Sequence, residues 1–219
     1  PEESKRVGKL LRGLHLPAET ERIARIRVAE LIAYQNAGLA KQYLALVQEA
    51  ATAEARAVPG DTRFSAAVAR YYYKLLAYKD EYEVARLYLD PRFDASLAAD
   101  LPEGGTLRYH LHPPVLRALG MKRKIAFGPR FRNAFRLLYA MRRLRGTKLD
   151  IFGYAHVRKV ERELITEYAA LIRDEIARLS PATHAHALAI AELPDMIRGY
   201  EEIKLKNVQA YHEKLVELA

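Results

Sequence analysis

Four charged side chains, Lys79, Asp80, Glu83 and Arg86, fall within one tyrosine-rich stretch, YYYKLLAYKDEYEVARLYLD at 71–90. Aromatics interleaved with charges of both signs suit three kinds of chemistry: a base-stacking platform, a ligand-contacting cluster, or a buried polar network. Placed on one helix at 100° per residue, Tyr71, Leu75, Tyr78, Tyr82, Ala85 and Leu89 form a stripe. Tyr73, Leu76, Val84 and Leu87 lie opposite. Between these faces runs a row of alternating sign: Lys79, Glu83, Arg86 and Asp90. Exposed, such pairs stabilise a helix by only about 0.2–0.5 kcal/mol each. Buried, they cost several kcal/mol per ion unless well paired. The tyrosines follow the apolar stripe, which favours core packing over stacking on bases. Lys79, Asp80, Glu83 and Arg86 are therefore the candidates for a polar network that orients helices.

Other groups able to do chemistry are sparser. His110 and His112 share one face of a short alternating segment, a spacing that can hold a metal, but no third ligand stands nearby in sequence. His184 and His186 diverge by about 200° on a helix and cannot share one. The chain contains no cysteine, which excludes disulfides, thiol nucleophiles, zinc–thiolate sites and cysteine-ligated clusters within it. There is no P-loop, no GxGxxG fingerprint and no GxSxG elbow.

A basic segment is the better lead. Between Gly104 and Leu149 stand twelve Lys and Arg and no Asp or Glu, within a chain of net charge +9. The remainder is therefore mildly acidic. Arg132, Arg136 and Arg143 share one helical face with Tyr139, and Lys122, Arg123 and Lys124 add charge at a neighbouring strand. These six are candidates for binding phosphates, a carboxylate-rich partner or nucleic acid. Charge balance against acidic helices is the plainer alternative. No helix-turn-helix, RRM or KH signature accompanies them.

Helical periodicity positions these groups. Ala24, Val28, Leu31, Leu39 and Leu46 predict one long helix over 19–57, broken by Val58-Pro59-Gly60-Asp61. Asp61 or Thr62 then caps a helix running to about Asp90. Alternation in TLRYHLH at 106–112, with KRKIAFG at 122–128 as partner, predicts a small two-stranded β ribbon, marginal unless it packs on helices. Helices follow over 130–145 and 155–179. Ser180-Pro181 is expected to open a shorter one, and Gly199 to break the last segment. The expected class is mainly α, a multi-helix domain with the ribbon near residues 106–127. Residues 1–16 read as a remnant of a preceding domain or a linker, and 17–219 as a single helical domain. With no apolar run near the roughly 20 residues that span a bilayer, a cytoplasmic location is expected.

Several strings then line up in order: RVAELIAYQNA at 27–37, LAYKDEYEVARLYLD at 76–90, HLHPP at 110–114, KRKIAFGP at 122–129, LRGTKLDIFGY at 144–154 and LPDMIRGYEEIKLKNV at 193–208. The series resembles the C-terminal region of the fused indolepyruvate ferredoxin oxidoreductase family, from about residue 20 onward. The resemblance implies an enzyme whose other regions bind thiamine diphosphate, magnesium and iron–sulfur clusters, decarboxylate aryl 2-oxoacids oxidatively and pass electrons to ferredoxin. For this chain it implies a non-catalytic part, with no catalytic, cofactor-binding or metal residue of its own. Arg198, Gly199, Lys204 and Asn207 keep the family's pattern. His112, Arg130, Glu201 and Glu202 depart from it, which weakens a metal role for His112.

The expected function is thus an assembly domain or subunit of such an oxidoreductase, in an oligomer with its catalytic domains. Ferredoxin or coenzyme A is a possible anion for the basic segment. A helical nucleic-acid-binding protein and a stand-alone scaffold are the alternatives, both using residues 104–149.

Overall fold

The computed structural model describes residues 2–91, 109–111, 125–127 and 132–218. In chain order the helices are α1 Glu2–Leu11, α2 Ala18–Tyr34, α3 Ala37–Ala57, α4 Arg63–Leu76, α5 Glu81–Tyr88, α6 Arg132–Ala140, α7 His156–Ala177, α8 His184–Glu192 and α9 Glu201–Leu218. Short 3-10 turns cover Met141–Leu144 and Leu193–Met196. The chain divides into two compact units, one of Pro1–Tyr78 with Lys159–Ala219, the other Lys79–Arg158.

Mainly α is the observed class, and the ribbon as a component of it is corrected. Among the described residues, pairing is limited to Tyr109–Leu111 and Ile125–Phe127, antiparallel, with His110 opposite Ala126. Three residues a strand make no sheet layer on which a fold class can rest. The rest of TLRYHLH and KRKIAFG, including His112, Lys122, Arg123 and Lys124, lies outside the described residues.

The single helix expected over 19–57 is two. Gln35 leaves helical geometry and Asn36 is extended, with its side-chain oxygen accepting from the Leu39 N–H at 2.9 Å. That is an N-cap, worth about 1 kcal/mol. The apolar period runs across the break, because both helices bury the same side in one core: Val28 and Leu31 from α2, Tyr43, Leu46 and Val47 from α3.

The helix expected over 62–90 is also two. α4 stops at Ala77, and Asp80, extended, caps α5 by accepting from the Glu83 N–H. The continuous tyrosine stripe is therefore corrected. Tyr72, on neither expected face, is among the most buried side chains, whereas Tyr71 and Tyr73 are half-buried. Its ring stacks between Tyr43 and Tyr168, with centroids 6.3 and 6.0 Å away. The hydroxyls are satisfied inside the unit: Tyr43 donates to the Ala69 carbonyl, Tyr168 to that of Ala191, and Tyr72 accepts from Gln42. Buried tyrosine needs such partners. Core packing is thus what these rings do.

α1 joins the same core through Val7 and Leu11. α8 begins at His184, three residues later than Ser180-Pro181 suggested. Ser180 and Thr183 instead bond each other in a turn, the Ser180 N–H donating to Thr183 Oγ1. Gly199 breaks the chain as expected, at φ +89°. Among the described residues, no helix is long and apolar enough to cross a membrane.

Candidate functional site

In the Lys79–Arg158 unit, the polar groups of two sequence strings converge. Asp80 is the hinge between them. Its Oδ1 accepts from the Glu83 N–H at 2.9 Å and from Arg145 Nη2 at 2.8 Å, and its Oδ2 accepts from Arg145 Nε. The side chains of Asp80 and Arg145 are each 3% exposed. One carboxylate thus caps α5 and holds a guanidinium in bidentate geometry, the strongest pairing available to either group.

Asp150 plays the corresponding part for the loop at 146–153. Oδ2 accepts from the Gly146 N–H at 2.8 Å. Oδ1 accepts from the Gly153 N–H at 3.1 Å and from the Tyr82 hydroxyl at 3.0 Å. Gly146 sits at φ +75°, a conformation glycine adopts without strain. The Tyr82 ring meets Phe152 edge-on at 5.3 Å and lies 5.5 Å from the Arg145 guanidinium carbon. Burial and the neighbouring Asp150 push the Tyr82 hydroxyl well above its ordinary pKa, so it stays a donor.

Of the network expected from sequence, Asp80 and Glu83 are buried, Arg86 is half-buried and Lys79 is exposed. The four do not form one ladder. Glu83 pairs with Arg86 through two bonds of 2.8 and 2.6 Å, and Asp80 pairs with Arg145 instead. Arg145, Asp150 and Tyr82 were missed. Asp80 and Arg145 are separated by 65 residues, and no periodicity links such distant positions. The one available signal was Asp150 itself, the first acid after the acid-free segment.

Glu81, the first residue of α5, faces Arg158 at 3.6 Å. Its Oε2 is buried with no hydrogen-bond partner among the described residues. Burial raises the Glu81 carboxyl above the usual range, with Arg158 opposing.

The other unit holds a second convergence. Glu54, 1% exposed, accepts from the Phe64 N–H at 2.8 Å and the Ser65 N–H at 2.9 Å. His184 Nε2 lies 2.8 Å from the same carboxylate, and His184 Nδ1 lies 3.8 Å from Asp61. One ligand atom from each of Glu54, Asp61 and His184 falls within 4.8 Å of the others, a grouping able to hold a cation. Each atom already has an occupation, however. Glu54 satisfies two orphan donors at the start of α4, where the helix dipole is positive. Asp61 is held by Arg63, whose bonds keep its carboxyl well below the ordinary range. The arrangement is a tertiary N-cap. Asp61 or Thr62 was expected to cap this helix; Asp61 Oδ1 accepts from the Arg63 N–H at 3.0 Å, and Glu54, from the preceding helix, takes the next two N–H groups. His186, as expected, is not beside His184's partners: it lies 3.6 Å from Glu175.

A surface groove of about 590 Å³ runs past Leu10, Leu14, Leu44 and Ile176. Of its polar lining, Gln48 accepts from the His15 N–H and Glu49 from Arg173.

In the basic set, Arg132 and Arg136 lie on α6 and Arg143 in the 3-10 turn after it; Arg136 and Arg143 are exposed and Arg132 half-buried.

Fold and site together define a mainly helical protein whose charged residues fasten helix starts and loops to one another. Over residues 20–217 it matches a family of unknown function (DUF6537), and the chain belongs to that family. No curated protein and no solved structure matches it.

Proposed function

We propose that this chain is a non-catalytic assembly domain, or the equivalent separate subunit, of a thiamine-diphosphate-dependent indolepyruvate-type 2-oxoacid:ferredoxin oxidoreductase acting in the cytoplasm. The reading rests on the ordered series of six strings from residue 27 to 208 and their resemblance to the C-terminal region of that enzyme. One structural observation supports the non-catalytic part. Three acids of the most distinctive strings are engaged within those strings: Asp80 with Arg145, Asp150 with Tyr82 and two backbone N–H groups, Glu83 with Arg86. Groups held in this way stiffen a surface and are not poised for proton transfer. Docking of ferredoxin belongs to the same reading.

Co-expression with the thiamine-dependent and cluster-binding domains tests it. The chain is expected to co-purify with them in fixed stoichiometry. Separate elution under all salt conditions tried would remove the assembly role. A nucleic-acid-binding role would show instead as DNA or RNA affinity falling steeply with salt.

A further inference from the structure

We propose that the loop at 146–154, with Arg143 and Lys148 beside it, is a docking surface for an acidic protein, which on the reading above is the enzyme's ferredoxin. The inference rests on that reading for the partner's identity, and on the geometry of the Lys79–Arg158 unit for the surface.

Two observations carry it. The first is the distribution of charge. Among the described residues of this unit, no carboxylate is exposed: Asp80, Glu83 and Asp150 are buried, and Glu81 and Asp90 half-buried. Every exposed Lys or Arg remains, namely Lys79, Arg136, Arg143 and Lys148. Among these described residues the exposed formal charges are all positive, with Glu81 and Asp90 only partly accessible. Such a face attracts acidic surfaces and repels basic ones.

The second is the loop. Leu149, Ile151 and Tyr154 are 68%, 61% and 61% exposed. Large apolar side chains gathered this closely on a surface mark an interaction site more often than scattered ones do. Their backbone is held firmly. The Thr147 N–H donates to the Leu144 carbonyl, the Asp150 N–H to that of Thr147, and the Gly153 N–H to that of Asp150. Asp150 and Phe152 turn inward to Tyr82, which leaves Leu149 and Ile151 outside. The Tyr154 hydroxyl donates to the Lys148 carbonyl at 2.8 Å, which fixes its ring. A contact surface ordered in advance loses little entropy on binding. Tyr and Arg are also the residues enriched where binding energy concentrates. A fixed array suits a fixed counter-surface. A lipid surface is better served by an amphipathic helix, and this loop is not one.

The test is titration of the full chain with purified ferredoxin by calorimetry at low and moderate salt. Binding is expected, weakening with salt. Leu149→Ser/Ile151→Ser should weaken it about tenfold at either salt. Arg143→Glu/Lys148→Glu should weaken it about tenfold at low salt, with the gap narrowing as salt screens the charges. Circular dichroism confirms that the variants fold, and Ile151→Ala serves as a milder second variant. Absence of heat with ferredoxin overturns the proposal. So does wild-type affinity in both double variants, or equal binding of phosphatidylglycerol vesicles or duplex DNA. Co-purification with the catalytic domains, measured separately, keeps the two readings apart. A chain that assembles but ignores ferredoxin loses the docking surface only; one that binds ferredoxin but fails to assemble loses the assembly role only.

Discussion

Asp80 and Arg145 are the pair on which the Lys79–Arg158 unit depends. Removing one partner leaves the other charge buried and uncompensated, a loss of about 3–5 kcal/mol. Asp80→Ala and Arg145→Ala should each lower the urea midpoint strongly, and the double variant by much less than the two together. Additive losses would show that the pair is not coupled. Glu81 gives a pH-dependent companion. Its folded-state pKa is raised above the ordinary 4.5, so the protonated form is the one folding favours. That contribution is present below pH 4.5 and is lost as pH rises through the folded-state value. Glu81→Gln should therefore raise the melting temperature at neutral pH, with the gain shrinking towards acid. A gain that does not change with pH would point to packing instead. The sequence pointed to Asp80, Glu83 and Arg86 because cap and i,i+3 spacing are local. It could not supply Arg145 or Asp150, whose meeting with Asp80 and Tyr82 is decided by folding.

Helix starts are where the elements of this protein are specified. α4 begins without a side-chain bond from its own N-cap residue, Thr62; Asp61 takes the Arg63 N–H, and Glu54, from a neighbouring helix, takes those of Phe64 and Ser65. Glu54→Ala strands two buried N–H groups, and a loss of about 1–3 kcal/mol each is expected in chemical denaturation. Glu54→Gln, which keeps one acceptor oxygen, should lose less. If both variants match the wild type, this cap is not what secures α4. Gly199 sets the turn into α9. Besides its positive φ, an added Cβ would lie 2.6 Å from Ile203 Cγ2. Gly199→Ala should cost about 1–2 kcal/mol, read as a lower melting temperature. Helical class and most helix bodies were legible from apolar period alone. The breaks at Gln35-Asn36 and Ala77–Asp80 were not, because the period passes through them without a glycine or proline. An Asn or Asp cap three residues before the N–H it accepts from was the available signal at each.

At the scale of the whole molecule, the acid-free stretch is the feature the sequence showed most openly, and part of it lies on the exposed residues of one unit. Burial of Asp80, Glu83 and Asp150 in that unit could not be read from composition, which counts charges without saying which side of a helix they occupy. On the proposed function, the chain is a part that holds other parts. The most direct test is turnover of the thiamine-dependent and cluster-binding domains on indolepyruvate with ferredoxin, with this chain omitted and then added back, alongside the mass of the complex in solution. The account predicts a smaller assembly and reduced turnover without the chain, both restored on addition, and no turnover by the chain alone. Full turnover by an assembly of unchanged mass in its absence would contradict it.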